Sequence, residues 1–218
     1  MSLNINTGIE NLEQDSMAVK YRTEIVDKEI AYKGFFKLEK YRLRHSLFQG
    51  GMSNTMSREL FERGHAVAVL PYDPQRDEVV LLEQFRIGAL NGVNGAWLTE
   101  IIAGMIDKDE TAEQVARREA VEEAGCEIKE LIPICNYYVS PGGTSETIEL
   151  YCGIVDTEQV QEGIYGLEEE NEDIRVFKTS YQQLIGWLEQ GKINSAAPVI
   201  AVQWLMLNRE TLRRERKG

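Results

Sequence analysis

The order of patterns along the chain predicts an α+β or sandwich-like domain. Strand-like segments fill most of residues 21 to 104, one helical segment follows, and further strand-like segments precede two C-terminal helices. A regular βαβ series would alternate strands and helices throughout, and this sequence does not. The 218 residues, 43% of them hydrophobic, suffice for one large domain or one domain with an appendage.

The first half of the chain contains predicted strands joined by turn residues. Residues 1–18 are polar, and we expect them to be poorly ordered. YRTEIVDKEIAY and FFKLEKYRLRH, separated at Lys33-Gly34, predict paired strands of an N-terminal sheet. HAVAVLPY and EVVLLEQFRI predict a hairpin around PYDPQRDE, and WLTEIIAG predicts one more strand that ends at Gly104.

The next segment, GMIDKDETAEQVARREAVEEAG, contains the first predicted helix. Its alanines and valines recur at helical spacing, Thr111 and Gln114 have the spacing of a capping box, and Gly125 is a natural stop. The last turns gather three carboxylates, Glu119, Glu122 and Glu123. The helix dipole disfavours each of them there by up to about 1 kcal/mol, so their presence needs an explanation.

The second half of the chain returns to strands before it ends in helices. EIKELIPICNYYVS predicts one or two strands, SPGGTSE a loop, and TIELYCGIV a strand. The segment DTEQVQEGIYGLEEENED is acidic and lacks clear periodicity, and DIRVFKTS predicts a short strand. Two helices follow: TSYQQLIGWLEQGK, capped by Thr179 or Ser180 and stopped by Gly191, and SAAPVIAVQWLMLNRETLRRERK with its basic tail.

Composition limits the partners and the compartment. The net charge of −12 argues against nucleic acid or an anionic membrane as the main partner, although a cation could still bridge the protein to a phosphorylated small molecule. Three cysteines without a CxxC pattern suggest a reducing compartment, and no signal peptide or membrane span is apparent, so we expect a cytoplasmic protein. Only two histidines occur, which excludes a site of several histidine ligands.

A metal ion would explain the helix carboxylates. Glu119 and Glu123 are four residues apart, so on a helix they lie about 5–6 Å from each other. Like charges at that distance repel unless a cation such as Mg²⁺ or Mn²⁺ binds them through oxygen ligands. The alternative is a solvated acidic face beside Arg117 and Arg118. A second acidic cluster, EEENED, lies in an irregular segment where binding residues commonly occur.

These residues together resemble a known motif. Gly104, then Glu110, then the run from Arg118 to Cys126, REAVEEAGC, resembles the Nudix box with all of its Gly, Glu and Arg positions at the family's spacing. Ala120 and Cys126 stand where bulkier aliphatic residues are usual, which removes no ligand. The resemblance implies the Nudix fold, an α/β/α sandwich with a mixed β-sheet. It also implies hydrolysis of a nucleoside diphosphate linked to another group.

The same resemblance assigns roles to the residues of the box. It implies that Glu119 and Glu123 are metal ligands, that Glu122 is an auxiliary ligand, and that the backbone carbonyl of Ala103 completes the inner site. Arg118 and Glu110 resemble the pair that orients the loop and the helix, which is also a structural salt bridge.

Residues outside the box resemble bacterial ADP-ribose pyrophosphatases. Pro141 lies sixteen residues after Gly125, and the similarity extends through YKGFF, RHSLFQG, FERGHAVAVLPYDP, EQFRIGA and LEEENEDIRV, over most of residues 30–210. It implies Mg²⁺-dependent hydrolysis of ADP-ribose to AMP and ribose 5-phosphate by a homodimer. We therefore divide the chain into a strand-rich dimerising segment, residues 1–58, and a Nudix hydrolase domain, residues 59–218. The N-terminal strands would exchange between subunits.

The resemblance also assigns residues outside the box. Glu172 would be a further metal ligand and Glu170 the general base, with a slip of one residue in EEENED as the main alternative. Substrate contacts would come from Phe35, which would stack on adenine in the partner's site, from Arg58 and Arg86 on phosphate, and from Ser140 and Glu146 on the terminal ribose. The alternative for Phe35 is a core aromatic. For Arg58 and Arg86 it is a surface cation or a strand-edge charge, and for Ser140 and Glu146 it is a plain turn with a charged rim.

Two other functions compete with ADP-ribose hydrolysis. The nearest is a Nudix hydrolase of another nucleoside-diphosphate sugar, such as GDP-mannose. The other is a Nudix-fold regulator that binds ADP-ribose without cleaving it, but its usual marks are a degraded box and an added DNA-binding domain. Here the box is intact and the charge is acidic, and from the number of residues after the box we expect no further domain. A plain acidic scaffold would leave the spacing of two carboxylate clusters unexplained.

Overall fold

The computed structural model describes residues 21–166 and 171–216. The expectation for residues 1–18 therefore lies outside the described residues. The strands within these ranges are β1 Thr23–Lys33, β2 Lys37–His45, β3 Met56–Glu62, β4 Ala66–Asp73, β5 Glu78–Phe85, β6 Trp97–Glu100, β7 Ile102–Met105, β8 Glu130–Tyr138, β9 Thr147–Ile154, β10 Gly163–Tyr165 and β11 Ile174–Ser180. The helices are α1 Ala112–Ala124, α2 Tyr181–Glu189 and α3 Ala196–Glu215, and a 3₁₀ turn covers Ile87–Ala89.

The N-terminal sheet has three antiparallel strands in the order β1-β2-β3. The predicted pair is confirmed, because β1 and β2 join where the sequence breaks at Lys33-Gly34. Strand β3 was not predicted, since MSRELFE alternates only weakly between apolar and polar residues. Every residue of β1 is exposed in the single chain.

The central sheet is mixed, as predicted. Its order is β10-β11-β5-β4-β9-β8, with β6 paired to β5 and β7 paired to β4. Strands β4 and β9 run parallel, and the other described pairs are antiparallel. All eight residues of β4 are buried, as expected for a strand covered on both faces.

Helices cover the central sheet on both faces, which confirms the predicted α/β/α sandwich. Helix α1 packs on one face, where Val115, Ala116 and Ala120 meet Val67 and Val69 of β4. Helices α2 and α3 pack on the other face, where Leu184 and Leu205 meet Leu70 of β4. The alternation of side chains along β4 sends its apolar residues into both cores.

Two details of the strand prediction were wrong. WLTEIIAG was predicted as one strand, but it forms β6 and β7, which separate at Ile101 because β6 pairs with β5 and β7 pairs with β4. The acidic segment before residue 167 contains the short strand β10, which pairs with β11 at the sheet edge. Three residues are too few to produce a recognisable alternation in the sequence.

The predicted helix ends are confirmed. Thr111 caps α1 in a complete capping box with Gln114, and Gly125 ends the helix in the left-handed conformation with φ 54°. Ser180, one of the two predicted caps, accepts a hydrogen bond from the backbone N–H of Gln183 at the start of α2. No helix in the described ranges is long and apolar enough to cross a membrane.

Candidate active site

A cavity of about 860 Å³ lies at one end of the strands of the central sheet. Because β4 and β9 run parallel and β8 runs antiparallel to β9, the first residues of β4 and β9 lie beside the last residues of β8 at this end of the sheet. Strand β7, the 3₁₀ turn, helix α1 and the first turn of α3 complete the walls. The cavity thus collects side chains from segments far apart in the sequence.

Glu123 is the most buried carboxylate of the cavity. It is only 4% exposed, and its Oε2 accepts a hydrogen bond from the backbone N–H of Ala103 at 3.1 Å. Burial raises the pKa of Glu123 to about 8, with smaller contributions from the nearby charges of Glu119 and Glu172. A buried carboxyl with so few partners favours a cation as its neighbour.

Glu119 lies one helical turn before Glu123, directly over Gly104. A Cβ on Gly104 would overlap the Glu119 carboxylate, so the glycine leaves the space that this side chain occupies. Burial is the main cause that raises the pKa of Glu119, and the charges of Glu122 and Glu172 add to it. The two helix carboxylates and Glu172 are therefore electrostatic neighbours.

Arg118 joins the loop before α1 to the helix. Its Nε and Nη2 donate to the two oxygens of Glu110 at 3.2 and 3.3 Å, which is the pairing that the sequence predicted. Its Nη1 lies 3.0 Å from Glu119 and 2.9 Å from Glu122. Mainly through Glu110, these partners raise the pKa of the guanidinium, so Arg118 stays charged and orients the carboxylates around it.

The donors around this cavity fit a hard divalent cation. Carboxylate oxygens are the preferred ligands of Mg²⁺ and Mn²⁺, and within the described ranges no histidine or cysteine lines the cavity. The space beside Gly104 also admits the Glu119 carboxylate, which a side chain at that position would displace. Across residues 21–166 and 171–216, no three acidic, histidine or cysteine side chains are already grouped as metal ligands. Two of the candidates, Glu119 and Glu122, are held by Arg118 instead.

The structure brings together many of the residues that the sequence selected. Ala103, Arg118, Glu119, Glu122, Glu123, Glu172, Arg86 and Glu146 all line the cavity. The guanidinium of Arg86 binds Glu100 at 2.7 Å, and the buried Glu146 lies 3.4 Å from Nε of Arg63. Glu170 lies outside the described residues.

Three predicted substrate residues lie away from the cavity of this single chain. Phe35 is 96% exposed at the β1–β2 turn, and Arg58 is exposed on β3. Ser140 begins the Gly-rich loop, where its carbonyl accepts hydrogen bonds from the backbone N–H groups of Gly143 and Thr144. None of the three lines the cavity in the described part of the chain.

Other cavity residues were missed in the sequence. Phe36, unlike its neighbour Phe35, lines the cavity, and the guanidinium carbon of Arg63 lies 5.2 Å from the centre of the Phe36 ring. Tyr137 and Ser195 also line it, and their buried hydroxyls have no hydrogen-bond partner in the described structure. Only Phe36 and Arg63 had a sequence signal, since they stand within YKGFF and FERGHAVAVLPYDP; the other two become visible only once β8 and α3 are placed.

The fold and the box define the class of this protein. The family model described as the NUDIX domain matches residues 62–201, and the predicted motif lies within that range. The chain therefore belongs to the Nudix family of pyrophosphohydrolases, whose members generally use divalent metal ions.

Two relatives show which members of the family this chain is similar to. An ADP-ribose pyrophosphatase of Escherichia coli (strain K12) is 50% identical over 207 residues, which cover 94% of this chain and 99% of the relative. A GDP-mannose pyrophosphatase of Escherichia coli O1:K1 / APEC is 33% identical over 152 residues, covering 69% and 78% respectively. The predicted resemblance to bacterial ADP-ribose pyrophosphatases is confirmed.

A solved structure supports the fold. A crystal structure of an ADP compounds hydrolase superposes with a TM-score of 0.64 and 19% sequence identity. The superposition covers 90% of this chain and 97% of the other. At this identity, the similarity extends to the fold alone.

Proposed function

We propose that this protein hydrolyses the pyrophosphate of ADP-ribose to AMP and ribose 5-phosphate, with Mg²⁺ as its metal. The observation that carries the proposal is the 50% identity, over nearly the whole chain, to an ADP-ribose pyrophosphatase. The GDP-mannose pyrophosphatase is less similar and matches a shorter part of the chain, so GDP-mannose is the second candidate substrate. We place the reaction in the cytoplasm, as the cysteine pattern of the sequence favours.

The carboxylates would hold the metal. The ligands would be Glu119, Glu123 and Glu172, with Glu122 auxiliary and the carbonyl of Ala103 completing the set. The burial of Glu123 and the mutual proximity of Glu119 and Glu172 support this assignment, because each favours a cation. When bound, a divalent metal neutralises the pyrophosphate and increases the acidity of water.

The protein's own groups would supply orientation and proton transfer. Arg118 fixes Glu119 and Glu122 in position through the ion pairs described above. Glu170 would act as the general base that takes a proton from the attacking water, an assignment that rests on the sequence resemblance. Arg86 and Arg58 would bind phosphate oxygens, and Ser140 and Glu146 would bind the terminal ribose.

A homodimer would complete the site. We propose that residues 1–58 form a dimerising segment and residues 59–218 the hydrolase domain. The exposure of all of β1, together with Phe35 at the tip of the β1–β2 hairpin, supports this division, because a second chain could cover these apolar side chains. Phe35 would then stack on the adenine bound in the partner's site.

The direct test is product analysis with a substrate panel. The purified protein is incubated with Mg²⁺ and ADP-ribose, GDP-mannose, NADH, a diadenosine polyphosphate or a nucleoside triphosphate. We expect AMP and ribose 5-phosphate to appear fastest from ADP-ribose. Faster cleavage of GDP-mannose would replace the substrate but keep the class, and binding of ADP-ribose without any cleavage would support a non-catalytic regulator.

Variants test the assigned roles in the same assay. Glu123→Gln should lower turnover at least about 100-fold, because even outer-shell partners of a metal cost up to that factor. Glu113→Gln, an exposed position on the same helix, is the matched control and should keep activity. Glu170→Gln should lower kcat more than it changes KM. The same effect from Glu169→Gln instead would move the base by one residue.

A further inference from the structure

The Gly-rich loop is aligned along the end of β3 and the short segment that connects β3 to β4. The backbone N–H of Phe61 donates to the carbonyl of Gly143 at 2.8 Å, and Phe61 forms a parallel bridge with Thr144. Further along, Thr147 Oγ1 lies 2.8 Å from Nδ1 of His65. These contacts continue, without a change of direction, the parallel pairing in which Ala66 faces Ile148.

Side chains reinforce this alignment at two successive positions. Ser145 Oγ donates to Oε2 of Glu62 at 2.7 Å, and Arg63 Nε lies 3.4 Å from Oε1 of Glu146. The other oxygen of Glu62 accepts the backbone N–H of Gly64 at 3.1 Å, which fixes the carboxylate. Its hydrogen bond from Ser145 is the main cause that lowers the pKa of Glu62, so the acceptor is ionised near neutral pH.

The loop end that these contacts fix faces the cavity. Glu146, the residue after Ser145 in the chain, is buried and lines the cavity. A side chain at Gly142 or Gly143 would project into open space, so no packing around these positions holds the loop. The loop's own hydrogen bonds run from Ser140 to Thr144 and from Thr144 to Glu146, so they set its shape. Its place relative to the cavity depends on the contacts with residues 61–65.

We propose that Glu62 and Ser145 are positioning residues that hold the Gly-rich loop against the sugar end of a nucleoside-diphosphate sugar. The inference rests on the proposed function, since it takes Ser140 and Glu146 as sugar contacts. It adds a link between the N-terminal sheet and specificity: β3 ends at Glu62, so the sheet that carries the exposed strand β1 also fixes the loop.

Ser145→Ala with Ser145→Thr as its conservative partner is the test. Steady-state kinetics give kcat and KM for ADP-ribose, and ADP, which lacks the second sugar, is measured as a competitive inhibitor. A lost hydrogen bond to a charged group corresponds to about tenfold or more in affinity. We therefore expect Ser145→Ala to raise KM for ADP-ribose about tenfold, with kcat and the ADP inhibition constant within about twofold of wild type. Ser145→Thr keeps the hydroxyl, so its KM for ADP-ribose should stay close to the wild-type value.

A double-mutant cycle with Glu62→Ala separates positioning from general loss of structure. If the two side chains act through one hydrogen bond, the double variant should raise KM no more than the larger single effect. Additive effects, equal losses for ADP-ribose and ADP, or an unchanged KM in Ser145→Ala would each overturn the inference. Circular dichroism of each variant shows whether the fold is retained.

The two proposals fail in different ways. Wild-type protein that hydrolyses GDP-mannose but not ADP-ribose contradicts the proposed substrate, and the same variants are then compared with GDP-mannose and GDP. Sugar-specific loss in that pair upholds the positioning role. The wild-type protein could also bind ADP-ribose no better than ADP, and GDP-mannose no better than GDP. That result would contradict both proposals, because no sugar subsite would exist.

Discussion

At Gly104 a single hydrogen in place of a side chain makes room for a carboxylate. Glu119 lies where a Cβ at this position would be, and the atoms that would clash include the Cγ as well as the carboxylate of Glu119. The side chain cannot avoid such a Cβ by rotating its far end alone. This explains physically why a glycine of the box precedes the helix carboxylates by a fixed spacing.

Gly104→Ala should therefore reduce activity more than stability. The added methyl group displaces Glu119, and we expect turnover of ADP-ribose to fall at least about 100-fold, like loss of a metal ligand. Gly186→Ala is the matched control: this glycine is inside α2, and a Cβ there would meet no atom closer than 3.8 Å, so the change should keep activity and stabilise the helix by about 0.5–1 kcal/mol. Activity assays and thermal unfolding measure both variants, and full activity in Gly104→Ala would contradict the role of the glycine.

At the scale of elements, helices α2 and α3 are each preceded by a serine at the N-cap position, but only one of the two serines caps its helix. Ser180 accepts a hydrogen bond from the backbone of α2, whereas Ser195 makes no side-chain cap for α3. A capping hydroxyl accepts from the second or third N–H of its helix, and in α3 the third residue is Pro198, which has no N–H. The Ser195 hydroxyl instead lies buried at the cavity wall.

The two serines should respond differently to the same substitution. Ser180→Ala removes a cap and should lower the free energy of unfolding by about 1 kcal/mol. Ser195→Ala removes no cap, so the free energy of unfolding should change by less than about 0.5 kcal/mol. Urea denaturation of both variants measures the difference, and equal destabilisation would show that Ser195 caps α3 in solution.

At the scale of the whole molecule, Asp77 ties the β4–β5 turn to the last helix. Its carboxylate accepts from Nε of Arg209 at 2.8 Å and from Tyr72 at 2.9 Å, and it pairs with Arg213 at 2.8 Å. Burial raises its pKa, but these hydrogen bonds and charges outweigh burial, so the pKa of Asp77 is lowered below its ordinary value. The residue also takes φ 60°, a conformation that asparagine tolerates.

Asp77→Asn should remove a part of the stability that depends on pH. A carboxyl with a lowered folded-state pKa stabilises the protein above its unfolded pKa of about 3.9, and this stability is lost as the pH falls through the folded pKa. We expect Asp77→Asn to lower the free energy of unfolding by about 1.5–3 kcal/mol at pH 7 and by progressively less below pH 4. Denaturation at several pH values measures this, and a deficit independent of pH would contradict the ion-pair explanation.

The exposed N-terminal sheet predicts assembly. Ile30 on β1 is 56% exposed in a strand with no buried residue, and we propose that a second chain covers it. Ile30→Lys should convert the proposed dimer to a monomer at micromolar concentration, as measured by sedimentation equilibrium. Leu207→Lys on α3 is the control, because Leu207 is 86% exposed outside this sheet. A monomeric wild type, or equal dissociation of both variants, would contradict the dimer.

The sequence by itself determined the elements with strong local signals. The β4–β5 hairpin, α1 with its capping box and Gly125, and the cap of α2 all follow from residues close together in the chain. The resemblance of Gly104, Glu110, Arg118, Glu119 and Glu123 to the Nudix box likewise implied the class of the protein and the Arg118–Glu110 pair, which the structure contains. Local hydrogen bonds and helical periodicity depend on residues close together in the chain, so the sequence pattern predicts them.

Only the tertiary structure decided which distant residues share the cavity. The split of WLTEIIAG into β6 and β7 depends on which strand each piece pairs with. The positions of Phe36, Tyr137 and Ser195 depend on how β8, α3 and the N-terminal sheet pack at one edge. The contact between Glu62 and Ser145 joins residues 83 positions apart. Such contacts arise from sheet register and the packing of layers, which are long-range properties that no local spacing in the sequence records.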